Sequence, residues 1–152
     1  MIVSTAKTDD LPQLLELVAE YQSENEEHEA QSVEQNSAYL TEVLGNDRFG
    51  IIFIGKTSSG APVGFIHLAL KPVTIEARHV PHVLDLFVKP NHREKGFGKL
   101  LFEHAVKWAK KHKHTRVECT VESMNMVAQY LFDHFHADSD GRIAYSIDLT
   151  KE

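Results

Sequence analysis

Cysteine is nearly missing from this chain: Cys119 is the single one among 152 residues. One thiol excludes an internal disulfide and suits a reducing, cytoplasmic setting. No Ser/His/Asp-like company surrounds it in the sequence, which argues against a covalent acyl-cysteine. Long apolar runs are missing too. No stretch approaches the roughly 20 residues that span a bilayer. The N-terminus has no charged and apolar leader of the secretory kind, so no membrane partner is expected. Positive charge is in deficit. Sixteen Lys and Arg stand against 22 Asp and Glu, a formal net charge of −6. That balance disfavours general nucleic-acid binding and favours a cationic substrate. Ten histidines include the pairs His112/His114 and His134/His136. No cysteine or carboxylate completes a tetrahedral set around them, so no metal is expected.

What is present is ordinary globular material. Hydrophobic residues make up 42% and charged residues 25%, enough at this length for one domain, 1–152, with a real core. The organising stretch runs from Val83 to Phe102, VLDLFVKPNHREKGFGKLLF. Val83 to Val88 is apolar except for Asp85, the pattern of a strand covered on both faces. Pro90 ends it, because proline removes a ladder donor. Gly96 and Gly98 allow close approach of a ligand to the backbone. A helix follows, with Leu101, Phe102, Ala105, Trp108 and Ala109 on one stripe. Lys107, Lys110, Lys111 and Lys113 crowd its far end, where cations suit the dipole. Free N–H groups and partial positive charge at the near end bind phosphate. Arg93 and Lys99 add charge-assisted donors there.

A lone Gly-x-Gly is a weak signal. Leu101 stands where the dinucleotide fingerprint has its next glycine, and no Gly-Lys-Ser/Thr makes it a P-loop. A plain glycine turn between strand and helix is the other reading.

Arg93-x-x-Gly96-x-Gly98, after a strand ending Val88-Lys89-Pro90, resembles the acetyl-CoA-binding motif of the GNAT N-acetyltransferases. Downstream, Asn125-Met126-Val127-Ala128-Gln129-Tyr130-Leu131-Phe132 is similar to the family's Asn-x-x-Ala-x-x-Leu-Tyr segment. Upstream, Val63-Gly64-Phe65 looks like the strand entry where the family has a Val-Gly pair. The likeness covers most of the chain, with its motifs in order. It implies that the amides of Arg93, Glu94, Lys95, Gly96, Phe97, Gly98 and Lys99 hold the pyrophosphate of acetyl-CoA. It implies backbone contacts to the thioester from Leu86, Phe87 and Val88. Asn125 would meet the cofactor arm and Ala128 would leave it room. The implied partner is a small-molecule amine (polyamine or lysine-like) or a protein lysine. The family often pairs through sheet edges or C-terminal strands, so a homodimer is among the implied assemblies.

The coarse element order is β-α-α-β-β-β-α-β-α-β. Ile2 to Ala6 is β-prone, Thr8 offers an N-cap, and Leu11, Leu14, Leu15, Val18 and Tyr21 keep helical spacing. Glu24, Glu26, Glu27, Glu29 and Glu34 read as a solvated helix end and linker, or as an acidic lip that attracts a polyamine. Ser32 and Gln35 fit a capping box, and Gly45 suits the end of that helix. Strands are expected over 49–56 and 63–70, with a less regular segment over 71–80 that overlies the cleft. A strand over 115–121, a helix over 124–135 and a final strand over 143–149 complete the layout. The fold class is thus mixed α/β (α+β) with a mostly antiparallel sheet. Val83–Val88 and Thr115–Val121, joined through a helix, should be parallel. The resemblance adds that this pair splays apart, flanked by helices, in the acyl-CoA N-acyltransferase fold.

Acetyl transfer to an amine needs a polarised thioester, a neutral amine and a proton for the leaving thiolate. Asp85 in its apolar strand is the first candidate base, since burial would raise its pKa; a hydrogen-bonded structural carboxylate is the alternative. His82 is the second candidate, against a packed or surface histidine; a water chain serves many such enzymes. The general acid departs from the family: Phe132 occupies the usual tyrosine's place. At roughly 100° per residue, Phe132 lies within about 20° of Asn125, but Tyr130 lies about 140° away. Either water or the amine supplies the proton, or another residue such as Tyr145 reaches in. His136 also replaces the family's usual glycine.

Overall fold

The apolar segments of the first 119 residues form one five-stranded sheet in the computed structural model, which describes residues 1–142 and 146–150. The strands are β1 (Ile2–Thr5), β2 (Ile51–Lys56), β3 (Pro62–Val73), β4 (Arg78–Val88) and β5 (Glu118–Cys119). They lie in sequence order; β1 to β4 are antiparallel, and β4 and β5 run parallel. Helices α1 (Leu11–Ser23), α2 (Val33–Gly45) and α3 (Phe97–Lys111) flank it. The chain divides into two units, Met1–Thr120 and Val121–Glu152.

Strand periodicity assigns the faces. Ile52 and Ile54 join Leu14, Leu17, Leu40, Val43, Phe65 and Phe87 in one core under α1 and α2. Phe53 points the other way and meets His104 and Trp108 of α3 at 4.9 and 6.1 Å between ring centroids. The helical stripe read from sequence buries Leu101, Phe102, Ala105 and Ala109. Ser32 caps α2 as expected: its hydroxyl accepts from Gln35 N at 3.1 Å, and Gln35 Oε1 accepts from Ser32 N at 3.1 Å.

Several expectations are corrected. Thr8 lies in a short 3-10 turn (Thr8–Asp10), and α1 starts only at Leu11. Gly45 is the last residue of α2, and Asn46 takes the C-cap in extended conformation. The segment 71–80 is the far end of the β3–β4 hairpin, turning through Thr74–Glu76 with Ala77 at φ 50°. Pro72 and Pro81 hid these strand ends, because proline weakens any strand signal. β5 holds two residues where seven were expected. β4 is not covered on both faces: Leu84 is 49% exposed.

The reason for Leu84 is a bulge. Asp85 faces His67, yet Val83 faces Leu68, so β4 carries one extra residue there. Residues directly opposite share a face. Leu86 opposite Ile66 and Val83 opposite Leu68 therefore lie on the same side, three residues apart. The bulge rotates Asp85 and Phe87 towards α1.

In the second unit, α4 (Met126–His134) follows Asn125, whose side-chain oxygen accepts from Ala128 N at 3.0 Å as an N-cap. The expected final strand is not formed over its described part. Ser146 to Thr150 have no strand conformation, and Ile147 and Leu149 are 84% and 90% exposed. Alternation alone does not make a strand without a neighbour to pair with. Residues 143–145, including Tyr145, lie outside the described residues.

Candidate functional site

The loop between β4 and α3 is built around amides with nothing to bond. Gly96 takes φ 78°, a left-handed conformation open to glycine at little cost, and stands at the N-cap of α3 without offering a side chain. Glu94 also turns left-handed at φ 60°. Among the described residues, none of the amides from Glu94 to Lys99 donates a hydrogen bond. Six successive donors stand at or just before the positive end of a 15-residue helix, an arrangement that suits an anion. A Cβ on Gly98 would meet only Val88 Cγ2, at 3.9 Å, so the approach to these amides is open.

The basic side chains of the loop serve the fold itself. Arg93 Nε donates to Val88 O at 2.8 Å, its terminal nitrogen reaches Glu24 at 2.6 Å, and its guanidinium lies 5.6 Å from the Phe87 ring centroid. Lys95 donates to Asn91 O at 2.8 Å, and Lys99 stands 3.9 Å from Glu103. Lys89 is held by Glu16 and Glu20 of α1, and the hydrogen bonds to them raise its pKa. These ties fasten the loop to α1 and β4 and fix where the amides point.

β4 supplies the second feature. Among the described residues its pairing with β5 is limited to His82–Glu118 and Val83–Cys119, so Leu84 to Val88 run on without a partner there on that side. Lys89 N donates to Val63 O at 2.9 Å, which makes 63/89 a hydrogen-bonded pair. Alternation along the antiparallel ladder then turns Phe87 and Asp85 towards β3 and turns Leu86 and Val88 to the open edge. Val88 O is taken by Arg93. Of the three backbone contacts expected from sequence, Phe87 is thus committed to the sheet, and Leu86 presents its amide and carbonyl to the gap.

On the α1 side, Asp85 gathers residues that sequence reasoning passed over. Tyr21 donates its hydroxyl to Asp85 Oδ1 at 2.9 Å, and His67 Nδ1 lies 3.7 Å from Oδ2. Tyr21 also packs on Phe65 and Phe87, at 5.9 and 5.6 Å between centroids. Tyr39 of α2 stands edge-on to His67 at 6.4 Å, and burial, aided by the Asp85 and Glu42 carboxylates, pushes its phenol above the ordinary range. The Asp85 side chain is 31% exposed, so the enclosed carboxyl expected from an apolar strand is not formed; the bulge brings it out beside α1. The signal for this cluster was faint: one histidine inside the apolar run 63–70, and a tyrosine closing the stripe of α1.

His82 pairs with Glu118 at the first of the two parallel rungs, one residue before the last pair, Val83–Cys119. Its Nε2 is 3.4 Å from Thr120 Oγ1, its Nδ1 is 3.9 Å from Glu118, and Nδ1 has no hydrogen-bond partner. Asn125 and Ala128 begin α4 in the second unit. Among the described residues no group of three His, Cys, Asp or Glu is placed to hold a metal ion, and no helix is long and apolar enough to cross a membrane.

An amide-lined loop at a helix N-terminus beside an unpaired edge of a mixed sheet is the layout of the acetyltransferase fold. The chain belongs to the GNAT acetyltransferase family, whose model matches residues 11–137. A crystal structure of a probable acetyltransferase aligns with all of both chains at TM-score 0.88 and 19% identity. Ribosomal-protein-alanine N-acetyltransferase from Brucella melitensis biovar Abortus 2308 aligns at TM-score 0.77 and 17% identity, over 98% of this chain and 100% of that one. AAC(6')-Iy, solved in complex with the bisubstrate analogue CoA-S-monomethyl-acetylneamine, aligns at TM-score 0.79 and 17% identity over 97% of each chain. At these identities the likeness is one of fold. No curated protein sequence matches the chain.

Proposed function

We propose that this chain transfers an acetyl group from acetyl-CoA to a primary amine, of a small polyamine or lysine-like molecule or of a protein lysine. The observation that carries the reading is the run of six unpartnered amides, Glu94 to Lys99, at the head of α3. Residues 1–152 act as one N-acetyltransferase domain; the family match runs through both units of the chain. Arg93 is a brace for the loop, and the amides through Lys99 hold the pyrophosphate. The open amide of Leu86, with Val88 beside it, aligns the acyl end, and Asn125 and Ala128 flank the cofactor arm. When bound, the thioester supplies the acetyl group and takes away a thiolate. Asp85 takes the proton that the attacking nitrogen must lose as the C–N bond forms and the C–S bond breaks. His82 is the second proton acceptor, at the fork of β4 and β5. Tyr145 or solvent returns a proton to the thiolate.

The second reading is a CoA-binding regulatory module without turnover, favoured by Phe132 at the family's tyrosine position. Thiol release with a panel of amines separates the two. Turnover with an amine is expected; CoA binding with no amine-dependent thiol release favours the module. Gly98→Arg fills the space over the amides and is expected to abolish CoA binding measured by calorimetry, and unchanged affinity would refute the loop assignment. Asp85→Asn is expected to lower kcat/KM by roughly 10²- to 10⁴-fold, the range of general-base contributions.

A further inference from the structure

His67 is a buried titratable group that the acetyl-transfer scheme leaves unused. It is 3% exposed, inside the apolar run of β3, directly opposite Asp85. Among the described residues its Nε2 has no hydrogen-bond partner. Gly50 lies close to that nitrogen: a Cβ built on it would come within 3.1 Å. The Tyr39 ring closes another side. Its Nδ1 faces Asp85 Oδ2 at 3.7 Å, a contact that is not yet a hydrogen bond.

A neutral imidazole places its one proton on either nitrogen, and the neighbour decides which. A proton on Nε2 would be an orphaned donor in a buried site, and the Nδ1 lone pair would face a carboxylate. A proton on Nδ1 faces that carboxylate instead and leaves only a lone pair unpaired at Nε2. We propose that His67 is a positioning residue that, as the Nδ1–H tautomer, steadies the Asp85 carboxylate for the acceptor amine. Tyr21 holds Oδ1 and His67 faces Oδ2. The rotation of the carboxylate is thereby limited, and its exposed side is left for the incoming amine. A carboxylate free to rotate would meet the amine in the wrong geometry most of the time.

This inference rests on Asp85 as the proton acceptor, and the two fail separately. Full activity of Asp85→Asn would remove the base and leave the tautomer question standing. The tautomer is read without any activity, from the long-range proton–nitrogen spectrum of protein labelled with ¹⁵N-histidine, the His67 signals being assigned by their loss in His67→Asn. A proton on Nδ1 with none on Nε2 is expected; any proton on Nε2 overturns the proposal. Kinetics gives the second arm. Asparagine places an N–H where Nδ1 stands, and leucine does not. His67→Asn is expected to keep kcat within about threefold, while His67→Leu loses at least tenfold in kcat with an unchanged KM for acetyl-CoA. Equal losses in both variants would overturn it. Should the leucine variant not fold, the wild-type spectrum decides.

Discussion

Glu118 stands between two cations: Arg116 Nε donates to Oε1 at 2.9 Å and Lys71 Nζ to Oε2 at 3.1 Å. The hydrogen bonds from Arg116 and then Lys71 hold its pKa down to about 2, from an ordinary 4.5. A carboxylate with a depressed folded-state pKa contributes stability above its unfolded value and loses it as pH falls through the folded one. This contribution is therefore complete above about pH 4.5 and fades towards pH 2. The rung matters because Glu118 faces His82 in one of only two pairs that join β4 to β5 among the described residues. Glu118→Gln should melt lower than wild type at neutral pH, and the gap should close between pH 4.5 and 2. Melting curves across that range test it; a gap unchanged at the acid end would show that the charge is irrelevant.

At the scale of elements, two glycines of the resemblance differ in what they permit. A Cβ on Gly64 of β3 would lie 2.3 Å from the carbonyl oxygen of Phe87. Backbone cannot yield there as the end of a flexible side chain would, so Gly64→Ala forces β3 and β4 apart. Gly98 sits in open space in the first turn of α3, where alanine is a better helix former by about 0.8–1 kcal/mol. Urea unfolding should show Gly64→Ala strongly destabilised, with Gly98→Ala equal to or above wild type. Comparable losses in both would contradict the close approach at Gly64. Local signals explain why elements such as α2 and the loop before α3 were legible: a capping box, a proline and two glycines act within a few residues. The β4 bulge was not, because an extra residue exists only relative to a partner strand. The Tyr21–Asp85–His67 cluster was hidden for the same reason, since its members are 64 and 18 positions apart in sequence and meet only through register.

For the molecule as a whole, charge decides what approaches. The net formal charge is −6, and the segment joining α1 to α2 carries Glu24, Glu26, Glu27 and Glu29, all exposed. Glu24 is held by Arg93; the others face solvent on the side of the sheet that carries Asp85. Such a field raises the local concentration of cations and acts over the Debye length, about 10 Å at 0.1 M salt and about 3 Å at 1 M. An acceptor with several positive charges feels it more than one with a single charge. With acetyl-CoA saturating, raising salt from 0.1 to 1 M should therefore raise KM several-fold for a triamine and little for a monoamine of similar size. On the proposed function, kcat should barely move, because the field acts on the approach of the amine and not on the bond-forming step. Equal salt dependence for the two amines would place recognition in local contacts alone and would remove the acidic segment from substrate choice.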